Sequence, residues 1–130
     1  MAVPRFFEPW EFACRCGCGA DKISSALVAR LEAARALWGS PIYVTSGRRC
    51  ASHNASREVK GAHNSRHLIG CAADLRPEAG ANFNRFIAAL LMYFSPPADE
   101  FIVYREKGFV HVAVARGFEK PDWNGGDLSL

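Results

Sequence analysis

Apolar residues recur at helical spacing in two stretches of the chain and gather into short runs in four others. Leu27, Leu31, Ala34 and Trp38 share one stripe, which predicts a helix capped by Ser24 or Ser25 and ended by Gly39. Phe83, Ile87, Leu90 and Phe94 make a second stripe, opened by Asn82, reaching about Phe94 and stopped by Ser95, Pro96 and Pro97. The runs at 41–46, 71–75, 101–104 and 109–114 read as strands, and a tight turn at Glu106, Lys107 and Gly108 joins the last two into a hairpin. Because 109–114 alternates poorly, it predicts a strand buried on both faces, where His111 would need a polar partner. The stretch from Arg48 to Arg66 has few core residues and reads as a long loop, more suited to a functional wall than to an idle linker. Together these elements predict an α+β fold, two main helices on a small, mostly antiparallel sheet, with no repeat.

Composition narrows the class. With 49% hydrophobic and 22% charged residues, the 130-residue chain has the material for one core, so a single domain over 1–130 is expected. Residues 1–22 form a Cys-containing N-terminal segment, and 117–130 an irregular tail that Trp123 would pin. The net charge of +3 is mild and scattered, with no basic stripe interleaved with aromatics, so nucleic acid is not an expected partner. No stretch approaches the length of a membrane span, and residues 1–10 carry prolines and an acid where a secretory leader has an apolar core. Synthesis in the cytoplasm without a signal peptide, as a monomer, is the expectation.

Five cysteines, at 14, 16, 18, 50 and 71, are an odd number, which fits a reduced compartment better than a disulfide framework. The Cys14, Cys16, Cys18 trio lacks the C-x-x-C spacing of structural zinc sites, and Cys50 or His53 would have to fold back to complete a tetrahedron. The trio therefore reads as a buried or half-buried thiol cluster rather than a second metal site. Cys71, in an apolar strand, reads as a small buried hydrophobe.

The sharpest chemical signal lies at 65–74, where His67 and Asp74 stand seven residues apart around Gly70 as a loop enters a strand. With His111 they offer two imidazoles and one carboxylate, the inventory of a catalytic zinc site that keeps its fourth position for water. Such a site serves peptide hydrolysis without a side-chain nucleophile. Other divalent ions could use the same ligands, but Zn2+ is the expected cofactor.

The segment S-x-H-x-x-G-x-A-x-D from Ser65 to Asp74, with Ser46, Gly47, Arg48 and Arg49 upstream and Phe109, Val110, His111 and Val112 downstream, resembles the zinc D-Ala-D-Ala carboxypeptidases and their L-Ala-D-Glu endopeptidase relatives. The likeness runs from about Phe7 to Arg116 and includes Glu11, Phe12 and the Cys-rich stretch that small, phage-associated members carry. It implies a hedgehog-like fold, zinc on His67, Asp74 and His111, and a peptidoglycan stem peptide as substrate, reached after release or phage delivery. It also implies that Arg49 holds a substrate carboxylate, a task that suits a planar guanidinium. Ser65 and His53 complete the candidate substrate-binding set, and His63 could also line the groove. Arg48 reads as a surface charge.

Subgroups of that family keep a general base three before, two before or two after the last ligand, positions filled here by Gly108, Phe109 and Ala113. None of these can accept a proton. Glu106, the nearest acid in sequence, is the favoured base, with Glu100, Asp99 and His53 as further candidates. Zinc-dependent hydrolysis of a stem peptide is the primary expectation. The alternative is a non-catalytic, zinc-containing module that binds cell wall or builds a virion.

Overall fold

The computed structural model describes residues 5–57, 59–62, 64–115 and 121–128. Along the chain run helix α1 (Ser25–Trp38), strand β1 (Ile42–Ser46), the single-turn helix α2 (Ala51–Asn54), strand β2 (Ala72–Pro77), helix α3 (Phe83–Leu91) and the hairpin β3 (Glu100–Tyr104) and β4 (Phe109–Ala113). Two 3-10 turns, Pro9–Phe12 and Arg66–Ile69, flank them. The architecture is the expected α+β, with all neighbouring strands antiparallel in the order β1-β2-β4-β3.

Local chemistry explains the helix ends. Ser24, not Ser25, caps α1: its hydroxyl accepts from the Leu27 amide at 3.3 Å, and Gly39 closes the helix in the left-handed conformation. Asn82 caps α3 by accepting from the Arg85 amide at 3.1 Å. That helix stops at Leu91, short of Phe94, because continuing it would drive the Pro96 ring against the carbonyl of Met92, the capping residue. Phe94 is buried all the same, from the connecting segment and against Phe101.

The register sorts the sheet into two unlike faces. Val44 lies opposite Leu75, Leu75 opposite Val110 and Val110 opposite Val103, while Ala73, Val112 and Phe101 form the next row. These side chains meet Leu27 and Leu31 of α1 and Phe86 and Leu90 of α3 in one core. Burying each larger aliphatic side chain contributes about 1.5–3 kcal/mol. The other face carries the row Ser46, Asp74, His111 and Ile102. β4 is thus not buried on both faces: Val110 and Val112 enter the core, whereas Phe109 and His111 are half-buried on the opposite side. The pattern looked poor because Phe109 is apolar yet stacks on Tyr104 of the open face, at 4.5 Å between ring centroids.

The N-terminal segment joins the same core through Phe7 and Phe12. Glu32 of α1 is fully buried and accepts from the amides of Phe6 and Phe7 at 2.7 and 3.0 Å, although burial still pushes its pKa up. Trp123 pins the tail as expected, bridging to Ile23 and meeting Phe12 edge-on at 6.0 Å. The rest of the tail call falls in part on 117–120 and 129–130, and the groove call for His63 on residue 63, all outside the described residues. The long loop between β1 and β2 departs from expectation in containing α2 and the turn that carries His67. Among the described residues, no helix is long and apolar enough to cross a membrane.

Candidate metal centre

Three elements deliver three donors to the open face of the sheet. His67 sits on the 3-10 turn Arg66–Ile69, whose first free amide is capped by Ser65: its hydroxyl accepts from the His67 amide at 3.2 Å. Gly70 ends the turn at φ 73°, and a side chain there would strike the carbonyl of Lys22, so the glycine between the two candidate ligands is needed for both conformation and space. Asp74 and His111 are direct cross-strand partners on β2 and β4. The donors converge: His67 Nε2 lies 3.2 Å and His111 Nδ1 2.9 Å from the same oxygen, Asp74 Oδ1.

The remaining imidazole nitrogens fix the tautomers. His67 Nδ1 is 2.7 Å from the Gly47 carbonyl, which can only accept, so this nitrogen carries the proton and Nε2 is left with a lone pair. His111 Nε2 lies 2.8 Å from Glu100 Oε1 and donates to it, so in the neutral ring Nδ1 faces Asp74 with a lone pair. Two lone pairs and a carboxylate oxygen aimed at one another repel unless a proton or a cation lies among them. The 2.9 and 3.2 Å separations are close to the edge of about 3.3 Å expected for a tetrahedral ion with bonds near 2.0–2.1 Å, so the residues fit zinc. Each imidazole already has the outer hydrogen-bond partner that orients metal-binding histidines.

Electrostatics follow from this packing. Burial opposes ionisation of Asp74, but hydrogen bonds and charge from His111 and His67 outweigh it and hold the carboxyl well below the usual range. Burial would lower the pKa of His111, and the Asp74 and Glu100 carboxylates reverse that and raise it.

These residues form the floor of a cavity of about 560 Å³ whose walls include Arg49, Lys60, Arg66, Lys107, Tyr104 and Glu100. A register irregularity after Val44 sets Ser46 opposite Asp74, and the Ser46 hydroxyl accepts from Arg49 Nε at 3.0 Å. Arg49 also donates to Asn54 Oδ1 at 3.2 Å and to Asp74 Oδ2 at 3.3 Å. Two of its five N–H groups then carry no partner among the described residues.

The candidate residues divide clearly. His67, Asp74, His111, Arg49 and Ser65 line the cavity; His53 does not. Glu106 is exposed at the tip of the hairpin turn, outside the lining, so geometry does not support it as the base. Asp99 is buried in a different role, bonded to Arg30 at 2.7 Å and to the amides of Ser95 and Ala115 at 2.7 and 2.8 Å. Glu100 is the carboxylate outside the donor set that the described lining contains, with its second oxygen 3.4 Å from Arg66 Nε. Arg48 is tied down more than a surface charge would be: it is half-buried, donates to the Lys22 carbonyl at 3.0 Å and has a buried Nε with no partner among the described residues. Asn54 as the prop of Arg49 carries no motif signal, and Gly47, though part of the motif before Arg49, shows its role as the acceptor for His67 only in three dimensions.

The cysteines of the N-terminal segment meet Cys50, the residue that follows Arg49. No disulfide joins Cys14, Cys16, Cys18, Cys50 or Cys71. Cys14 is buried, Cys50 half-buried, and Cys16 and Cys18 exposed. His53 contributes only its amide to this cluster.

A family model described as Peptidase M15 matches residues 5–113. No curated protein and no solved structure matches the chain.

Proposed function

The chain belongs to the Peptidase M15 family, and from that premise we propose that it is a zinc-dependent peptidase that cuts a peptide bond in peptidoglycan stem peptides, as a D-Ala-D-Ala carboxypeptidase or an L-Ala-D-Glu endopeptidase. The observation that carries this reading is the convergence of His67 Nε2, Asp74 Oδ1 and His111 Nδ1 on the cavity floor, with the other nitrogen of each imidazole already engaged. Zinc held by these three residues would supply a water of lowered pKa and a Lewis acid for the scissile carbonyl.

The chain's own groups account for the rest. Arg49 offers its two unused N–H groups to a substrate carboxylate, braced by Ser46 and Asn54. Among the described residues of the cavity wall, four cationic side chains, Arg49, Lys60, Arg66 and Lys107, face two acidic ones, Asp74 and Glu100, which favours an acidic peptide. Glu100, the acid of the described lining outside the donor set, would take the proton of the attacking water and return it to the leaving amine. Its position answers the gap at residue 113: Glu100 lies directly opposite Ala113 in the β3–β4 register, and its longer side chain reaches His111 from the neighbouring strand. The wall-binding alternative drew part of its support from the absence of an acid at 108, 109 and 113, and Glu100 in the cavity wall favours the peptidase over it.

The test pairs elemental analysis with release of free amino groups from purified peptidoglycan, wild type beside His67→Ala. Zinc content should fall by about one ion per chain in the variant, and release should vanish. Full zinc in the wild type with no amine released from walls of any stem composition would leave a binding module in place of an enzyme.

A further inference from the structure

Cys14, Cys16, Cys18 and Cys50 bring four sulfur atoms within 4.8 Å of one another. Cys14 and Cys16 are 3.4 Å apart, Cys16 and Cys50 3.6 Å, and Cys14 and Cys50 3.9 Å. A tetrahedral ion with zinc–sulfur bonds of about 2.3 Å has sulfur–sulfur edges of about 3.8 Å, which these separations bracket. They are far from the roughly 2.05 Å of a disulfide. We propose that these four cysteines hold a second, structural zinc ion as thiolates, separate from the His67, Asp74 and His111 centre.

Three further features favour a built site over a chance gathering of thiols. Backbone amides point at the sulfurs: Cys50 N lies 3.4 Å from Cys14 Sγ, and His53 N 3.4 Å from Cys50 Sγ, an arrangement that favours the thiolate. The turn is shaped for the purpose, since Gly17 and Gly19 both adopt positive φ, 80° and 92°, with open space around them, so backbone conformation rather than crowding selects glycine. The turn is also pinned, because Arg15, between two of the cysteines, donates to the carbonyls of Glu11 and Val44 at 2.8 and 2.6 Å. The expectation of an idle thiol cluster rested on the C-x-C-x-C spacing, which lacks a fourth donor. Cys50 supplies it by folding back.

Four thiolates select a soft cation over magnesium or calcium, and a closed four-ligand shell leaves no position for substrate, which marks the ion as structural. Binding releases one proton to solvent from each thiol that ionises, up to four. Its purpose follows from sequence neighbours. Cys50 follows Arg49 and caps α2, whose last residue, Asn54, props the Arg49 guanidinium. The ion ties the N-terminal turn to the wall that carries Arg49.

The test uses full-length, reduced protein carrying His67→Ala and His111→Ala, so that the other centre cannot contribute. This variant should retain about one zinc per chain, and its cobalt form should show thiolate-to-metal charge-transfer absorption. Adding Cys16→Ser and Cys18→Ser, both exposed positions, should abolish both signals. A folded His67→Ala/His111→Ala protein without zinc and without the charge-transfer band overturns the proposal. Should that variant not fold, the two serine substitutions alone decide: unchanged zinc content and an unchanged cobalt spectrum overturn it, and loss of about one zinc with the band supports it.

Discussion

His67, Asp74 and His111 meet because a sheet register and a capped turn bring them together, whereas Cys14, Cys16, Cys18 and Cys50 meet because a glycine-containing turn lies against the end of β1. In the first set every imidazole has an outer partner, Gly47 or Glu100, so the protein itself fixes the geometry. In the second the sulfurs mostly bond one another, and two of the four are exposed. The difference teaches what each set is suited to do. A framework held by strands can leave one side open to a groove and keep its shape through turnover, while a turn closed by four thiolates gains order from the ion it binds. Arg49 stands between them, touching Asp74 with its side chain and adjoining Cys50 in sequence.

The comparison breaks most severely at the sheet-based donors. Replacing His67, Asp74 or His111 by alanine should cut peptidoglycan hydrolysis by at least about a thousandfold, roughly 4 kcal/mol, with loss of that centre's metal. The charge-transfer band of the cysteine site in the cobalt form should stay. If a single substitution emptied both sites, the two sets would be one cooperative unit.

Glu100 comes next. Glu100→Gln keeps an oxygen that can accept from His111 Nε2, so the metal should remain while activity falls about a hundred- to ten-thousandfold. Glu100→Ala should lose the activity and weaken metal retention as well, since the orienting bond goes too. Activity preserved in Glu100→Gln but lost in Glu100→Ala would confine Glu100 to positioning His111. Glu106→Gln, at the exposed hairpin tip, should change nothing measurable.

Much of this was legible in the chain before any coordinates. The Leu27 and Phe83 stripes, a serine cap at 24 or 25, the Asn82 cap and the hairpin all follow from local periodicity and local hydrogen bonding, which act within a few residues. His67 and Asp74 could be named because a short motif fixes their spacing, and His111 because a histidine inside an apolar run needs a polar partner. Glu100 was only one candidate among several, yet the turn contains the signal: counting outward from Tyr104 opposite Phe109 places Ile102 opposite His111 and Glu100 opposite Ala113. Nearness in sequence favoured Glu106, and the two-residue period of a strand favours Glu100. Cys50 could not be found this way, because its approach to Cys14 spans the whole of α1 and β1 and depends on tertiary packing.

Arg49→Lys sharpens the comparison at the boundary between the two sets. A lysine keeps the charge but loses the fork that donates at once to Ser46, Asn54 and Asp74 and still leaves two N–H groups free. The loss of one charge-assisted pair with a substrate carboxylate, about 2 kcal/mol, should lower kcat/KM roughly thirtyfold, mainly through KM, without altering zinc content at either site. Steady-state kinetics on a soluble stem peptide, with elemental analysis of the same sample, would check this. Zinc loss in this variant would make Arg49 a structural prop of the metal centre instead of a substrate group.

The smallest effect on catalysis should come from the cysteines, and its form matters more than its size. Cys16→Ser with Cys18→Ser touches no cavity-lining group, so the chemistry on the sheet should persist. If the thiolate site holds the Arg49 wall, kcat/KM should drop by no more than about tenfold, 1.4 kcal/mol, with the change in KM and little in kcat. The melting temperature should fall and become insensitive to the loss of the second zinc, because an ion that binds only the folded chain stabilises it by mass action. A fall in kcat with KM unchanged would mean that the turn influences the donors on the sheet directly, and the division between a rigid catalytic framework and an ion-ordered wall would no longer hold.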